Sequence, residues 1–325
     1  MRPKILISRR LPQAAVDRVA RDCDVDHNEA NIPLKAEELK QRLQGKQGLI
    51  CLLTDKITDE LLDGLTELKV VANVAVGYDN IDVPAATRRG IMVTNTPEVL
   101  TETTADFTWA LLMAVARRVV EGDAYARSGE WKEWMLLEFL GSDVYGKTLG
   151  IMGLGRIGRA VARRAAGFNM RMLYHDAFRP APAVERELKV EYRDKESVLR
   201  EADFVTLHTP LIPETRHYIS TKELRLMKRT AFLINASRGP VLDEEALAQA
   251  LKEGVIAGAA LDVFEHEPEI PPGLVELRNV VLAPHLASAS IETRTAMSML
   301  AADNAVAAVL GQRPPTLVNP EVWKG

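Results

Sequence analysis

The chain has 325 residues, 47% hydrophobic and 26% charged, an ordinary globular composition with length for two domains. A formal net charge of -4 offers no basic footprint for nucleic acid or for an anionic membrane surface. Two cysteines, Cys23 and Cys51, cannot build a disulfide framework; no run reaches the roughly 20 apolar residues of a membrane span, and the apolar run near the N-terminus is too short for a signal-peptide core, so a soluble cytoplasmic protein is expected.

In chain order, "KILIS" (4–8), "GLICLL" (48–53), "VVANVA" (70–75) and "IMVTNT" (91–96) read as strands. The charged stretches "KAEELKQRLQG" and "TDELLDGL" between them are helix-prone. Such alternation predicts parallel βαβ layers, here without a glycine-rich phosphate turn. Residues 101–129 read as one long helix, with Thr101 or Thr103 as its cap. Its middle, "FTWALLMAVA", is apolar on nearly every face, which suits an interior helix or one shared between domains or subunits. The alternation then restarts, with strands at 148–152, 170–174, 204–207, 231–235, 258–262 and 280–282. The helix "DEEALAQALKEG" is bounded by Asp243 as N-cap and by Gly254. A last helix covers Ile291 to Leu310, and an irregular, Pro-rich tail follows.

The stretch "GLGRIG" carries Gly153, Gly155 and Gly158 directly after the apolar strand "TLGIM". It opens a helix with Ile157, Val161, Ala165 and Phe168 at helical spacing. Gly153 permits the tight turn, Gly155 lets a pyrophosphate approach the backbone, and Gly158 lets helix and strand pack closely. The N–H groups of Arg156 and Ile157 would face the phosphates. Asp176 ends the next strand, 18 residues after Gly158, where an acid binds the adenosine ribose hydroxyls. A carboxylate there repels a 2′-phosphate, so NAD(H) is favoured; the nearby Arg179 leaves NADP(H) open.

A nicotinamide enzyme needs a proton donor, usually a histidine. Of the six, His27 and His217 sit in polar, solvent-like contexts, and His175 should face away from the ribose acid. His208 ends the strand "FVTL", where it can line a cofactor pocket. His285 follows "VVLAP", at a C-terminal strand end, where open α/β sheets bind ligands. Two partners stand at neighbouring strand ends. "AFLINASRGP" runs into Arg238, whose planar fork can clamp a carboxylate. "GAALDVFEHEP" places Asp262, Glu265 and Glu267 where a carboxylate can orient the histidine ring.

These motifs, with "LHTPLIPETRHYI", "LINASRGPVLDEEAL" and "APHLAS", resemble the D-isomer-specific 2-hydroxyacid dehydrogenase family over essentially the whole chain. Within it, "DVYGKTLGIMGLGRIGRAVARRAAGFNMRMLY" and "LLTDKI" are most similar to the glyoxylate reductases. The resemblance implies an α/β fold of two Rossmann-like domains. A flavodoxin-like substrate domain, 1–98 with 289–325, would carry an inserted NAD-binding Rossmann domain, 99–288. Arg238 would bind the substrate carboxylate and keto oxygen, His285 would be the acid/base, and Glu267 its partner. Asp262 and the backbone near Arg238 would hold the nicotinamide. Thr104, His208, Thr209, Pro210, Ala236, Ser237 and Ala287 would line the cofactor site. Leu53, Trp134 and the N–H groups of Val76 and Gly77 would contact substrate. No metal is implied, and a homodimer through the cofactor domain is.

The implied activity is reduction of glyoxylate or hydroxypyruvate to the D-2-hydroxy acid. A D-lactate or 3-phosphoglycerate type dehydrogenase, and an NAD-sensing protein resembling the C-terminal binding protein co-repressors, are the alternatives. Some similar glyoxylate reductases carry a small polar or basic pattern in place of Asp176 and favour NADP; the acid here points to NAD.

Overall fold

The computed structural model describes residues 2–324. The chain divides into two compact units, Met1–Leu100 with Ala289–Gly325, and Thr101–Ser288.

The first unit holds strands β1 (Lys4–Ile7), β2 (Asp24–His27), β3 (Gly48–Cys51), β4 (Val70–Asn73) and β5 (Met92–Thr94), with helices α1 (Gln13–Ala20), α2 (Ala36–Leu43), α3 (Asp59–Leu62) and α4 (Val83–Arg88). The strands are parallel, in the flavodoxin-like order β2-β1-β3-β4-β5. β3 and β4 are buried at every position, as strands covered by helices on both faces must be. β2, "DVDH", is a polar edge strand that hydrophobic patterning does not reveal. His27 lies on it with Nε2 buried and unpartnered, not in the solvent-like setting expected. The Pro-rich tail is also more ordered than its composition suggests. Leu317 bridges Thr94 antiparallel, and the Asn319 side chain accepts from the Val93 N–H and donates to Ile91 O.

The second unit begins with α5 (Thr101–Ala116) and α6 (Val119–Ser128). Strands β6 (Thr148–Met152), β7 (Arg171–His175), β8 (Val190–Tyr192), β9 (Phe204–Leu207), β10 (Phe232–Asn235), β11 (Gly258–Leu261) and β12 (Val280–Leu282) follow. They alternate with α7 (Arg156–Ala165), α8 (Pro182–Leu188), α9 (Lys195–Glu201), α10 (Thr221–Leu226), α11 (Glu244–Lys252) and α12 (Pro272–Val275). The last helix, α13 (Ile291–Val309), packs on α1, β3 and β4 in the first unit. The seven strands are parallel in the order β12-β11-β10-β9-β6-β7-β8, a doubly wound sheet. Its order reverses between β6 and β9, and ligands of such sheets bind at the carboxyl ends of the strands there.

The single long helix expected over 101–129 is two. Arg118 takes a left-handed φ of +52° between α5 and α6, and its guanidinium binds Glu121. No Gly or Pro marks that break in the sequence. Nor is α5 buried all round: Glu102, Asp106 and Ala110 form an exposed stripe. Its apolar side packs on α7, β10 and β11 of its own sheet, and Glu102 and Asp106 pair with Arg163 and Arg164. Among the described residues no helix is long and apolar enough to cross a membrane.

Candidate active site

β10, β11 and β12 are neighbours in the sheet, so the residues just past their ends are brought together. At the end of β10, the fully buried Asn235 side chain shapes the turn that follows. Its Oδ1 accepts from the Ser237 N–H at 3.0 Å and hydroxyl at 2.8 Å, and its Nδ2 donates to Arg238 O. Gly239 then presses on the loop after β11. A Cβ there would lie 1.9 Å from Phe264 C and 2.4 Å from Glu265 N. The Arg238 turn and the Glu267 loop therefore touch backbone to backbone.

His285 stands after β12. Its Nδ1 meets Glu267 Oε2 at 2.8 Å, and Glu267 Oε1 accepts from the Phe264 N–H. Burial opposes the charge of Glu267, but the His285 hydrogen bond and the His285 and Arg238 charges outweigh it, holding the carboxyl below its ordinary value. A carboxylate at Nδ1 calls for a proton on that nitrogen, which leaves Nε2 as the atom that takes or gives the mobile proton. The His285 backbone is left-handed, φ +55°. The buried Asp262 stabilises that shape: its backbone O accepts from the His285 N–H, and its carboxylate accepts from Leu286 N (2.6 Å) and Ala287 N (2.8 Å). Burial raises the Asp262 pKa against those two bonds.

The glycine turn lies between β6 and α7. Gly153 has φ +96°, and a Cβ on it would meet His208 O at 2.7 Å; one on Gly158 would meet Gly153 O at 2.2 Å. A Cβ on Gly155, the residue preceding α7, would meet no atom within 4 Å, so that side of the turn is open. Asp176 Oδ2 accepts from the Leu154 N–H at 2.6 Å, which ties the acid to the turn. His208 Nε2 lies 2.9 Å from Thr206 Oγ1, and burial pulls its pKa down to about 3, so the ring is neutral near pH 7. The Thr209 hydroxyl beside it is buried without a partner.

Other anticipated residues are spread more widely. Thr104 is buried in α5, Ala236 and Ala287 are buried, and Pro210 is exposed after β9. Trp134 is 76% exposed on the irregular segment after α6. In the first unit, Val76 O and Gly77 O accept from the Asn95 and Asn73 side chains, and Leu53 lies in the turn after β3. Asn235, Gly239 and Glu244 are residues that sequence reasoning missed. A polar residue ending the apolar run "FLIN" was the available signal for Asn235; contacts distant in the chain define the other two.

Residues 109–287 match the family described as D-isomer specific 2-hydroxyacid dehydrogenase, NAD binding domain. The chain belongs to that family. The dehydrogenase is 54% identical to a glyoxylate reductase of Korarchaeum cryptofilum, across 100% of this chain and 98% of the relative. A solved structure from Thermus thermophilus matches with a TM-score of 0.91 at 46% identity, over 97% of this chain and 99% of that one. An NADPH-dependent glyoxylate/hydroxypyruvate reductase from Sinorhizobium meliloti, solved with NADP and malonate, matches with a TM-score of 0.85 at 34% identity, over 98% and 97%.

The residues present fit the nicotinamide cofactor of the family. The backbone N of Thr209, whose buried hydroxyl has no partner, lies against the turn at Gly153, and the open side of Gly155 is the space a side chain would fill.

A third carboxylate braces the dehydrogenase's Glu267 loop. Glu244 opens α11 and is 3% exposed; its Oε1 accepts from the Glu265 N–H at 2.8 Å, and Glu265 Oε2 lies 3.0 Å from His217 Nε2. Burial pushes the Glu244 carboxyl up to about 7; the Glu265 N–H opposes the rise, and the Glu265 and Glu267 charges add to it. An acid whose folded value lies above its unfolded one favours folding when protonated. Stability therefore falls as pH rises from about 4.5 through about 7, by roughly 3 kcal/mol in total. Glu244→Gln stays neutral and keeps the acceptor. Thermal unfolding should put its Tm above wild type near pH 8.5 and close to it near pH 5; a constant difference would contradict the titration.

Proposed function

We propose that the dehydrogenase reduces glyoxylate or hydroxypyruvate, with NADH preferred. The carrying observation is the Glu267–His285 pair, 2.8 Å apart, fixed beside the Arg238 turn at three adjacent strand ends. The Arg238 fork holds the substrate carboxylate and keto oxygen and draws charge onto that oxygen. The bound nicotinamide supplies the hydride that reaches C2. His285 gives the Nε2 proton to the oxygen, so a 2-oxo acid, a hydride and a proton become a 2-hydroxy acid. Glu267, hydrogen-bonded to Nδ1, keeps the ring oriented for that transfer. Asp176 at the glycine turn favours NAD, because its carboxylate repels a 2′-phosphate.

The product tests the reading. Hydroxypyruvate should give D-glycerate alone, as membership of the D-isomer-specific family implies, and L-glycerate would overturn the reading. Arg238→Lys should lower kcat/KM by about 10²-fold or more with the fold retained, since a point charge cannot replace a planar fork. Steady-state kinetics with circular dichroism would check both parts.

Assembly as a homodimer through the second unit is part of the proposal. Val119, Val120, Trp131, Leu136, Leu137 and Leu140 are each more than half exposed, an apolar surface of the kind that marks an interface. A cytoplasmic location accords with Cys23 and Cys51 being buried free thiols.

A further inference from the structure

Arg179 lies three residues beyond Asp176, where it could reach a 2′-phosphate. The structure gives it other partners. Its Nε donates to Glu185 Oε1 at 2.7 Å and its Nη2 to Glu185 Oε2 at 3.0 Å, a two-point fork. The guanidinium carbon sits 5.2 Å from the Tyr192 ring centroid, over its face. Glu185, on α8, is itself anchored: its Oε1 accepts from the hydroxyl of Tyr174, whose residue is fully buried in β7. The Glu185 side chain is 14% exposed against 59% for Arg179, so the acid is the fixed member of the pair. Arg179 and Tyr174 hold the Glu185 carboxyl down at about 2, and it stays ionised across the working pH range.

We infer that Glu185 is a cofactor-specificity residue, withholding Arg179 from the 2′ position of the adenosine ribose. The inference rests on the reading that Asp176 binds that ribose. Asp176 alone repels a 2′-phosphate, and a mobile arginine three residues away would counter the repulsion. The fork on Glu185 and the stacking on Tyr192 take that arginine out of play. A 2′-phosphate that recruited Arg179 would have to break two charge-assisted bonds and leave Glu185 unpaired near a dianion. The selectivity therefore has an attractive part at Asp176 and a withheld charge at Arg179.

The test compares Glu185→Gln, the double variant Arg179→Ala/Glu185→Gln, and Asp176→Ser. Dissociation constants for NADH, NADPH and 2′-phosphoadenosine are measured by calorimetry, and kcat/KM with both cofactors. Glu185→Gln should raise NADPH affinity relative to NADH by roughly tenfold and tighten 2′-phosphoadenosine binding, and the double variant should lose the gain. An unchanged ratio in Glu185→Gln, or a gain that persists in the double variant, overturns the inference. Asp176→Ser separates the two assignments: it should shift the ratio toward NADPH by itself, and a ratio it leaves unmoved counts against the ribose reading.

Discussion

His285→Ala is expected to cut kcat by about 10²–10⁴-fold, while the dissociation constant for NADH stays within a few-fold. The backbone at this position does not depend on the imidazole. It is held by the bond from its own N–H to Asp262 O and by the Leu286 and Ala287 N–H groups on the Asp262 carboxylate. Histidine and alanine both carry a Cβ at φ +55°, so the exchange introduces no new backbone clash and the loop keeps its shape. The variant loses the one proton donor whose Nδ1 is fixed by Glu267. Glu267 then loses the hydrogen bond that offsets its burial, and its pKa rises. Steady-state rates beside a fluorescence titration with NADH would separate chemistry from binding. Turnover at the wild-type rate would remove His285 from the mechanism.

Gly239→Ala is expected to damage both activity and stability. The added Cβ would lie 1.9 Å from Phe264 C, 2.0 Å from Phe264 O and 2.4 Å from Glu265 N. All three are backbone atoms, so no side-chain rotation relieves the overlap. Either the Arg238 turn or the loop carrying Glu267 must move. A displacement near 1 Å in a reacting constellation costs about 10²-fold in rate, and overpacking of this kind costs roughly 1–3 kcal/mol. A fall in kcat/KM together with a lower Tm would bear this out. Wild-type kinetics would show that the two loops are not coupled through Gly239.

What the sequence revealed and what it hid have separate physical causes. Arg238, Glu267 and His285 could be singled out because each lies within six residues of a strand's end, and strand ends are where a doubly wound sheet presents its chemistry. The glycine turn was legible because close packing at Gly153 and Gly158 admits no side chain. β2 was not, since an edge strand written "DVDH" carries no hydrophobic alternation. The break at Arg118 was not, because a left-handed residue other than glycine has no local signature. Gly239 and Glu244 depend on Phe264 and Glu265, more than 20 residues away, and such contacts exist only once the sheet has formed. The lock on Arg179 is of the same kind: the sequence shows an arginine near Asp176 and leaves both cofactors open, and only the fold shows that Glu185 holds it.

Hydride transfer from a nicotinamide to a small 2-oxo acid is the activity on which every residue role above depends. Its most direct test is the rate of NADH and NADPH oxidation by the purified protein with glyoxylate, hydroxypyruvate and pyruvate, measured side by side. Turnover with glyoxylate and hydroxypyruvate, faster with NADH than with NADPH, is the predicted result. No oxidation of either cofactor with any of the three acids would contradict it.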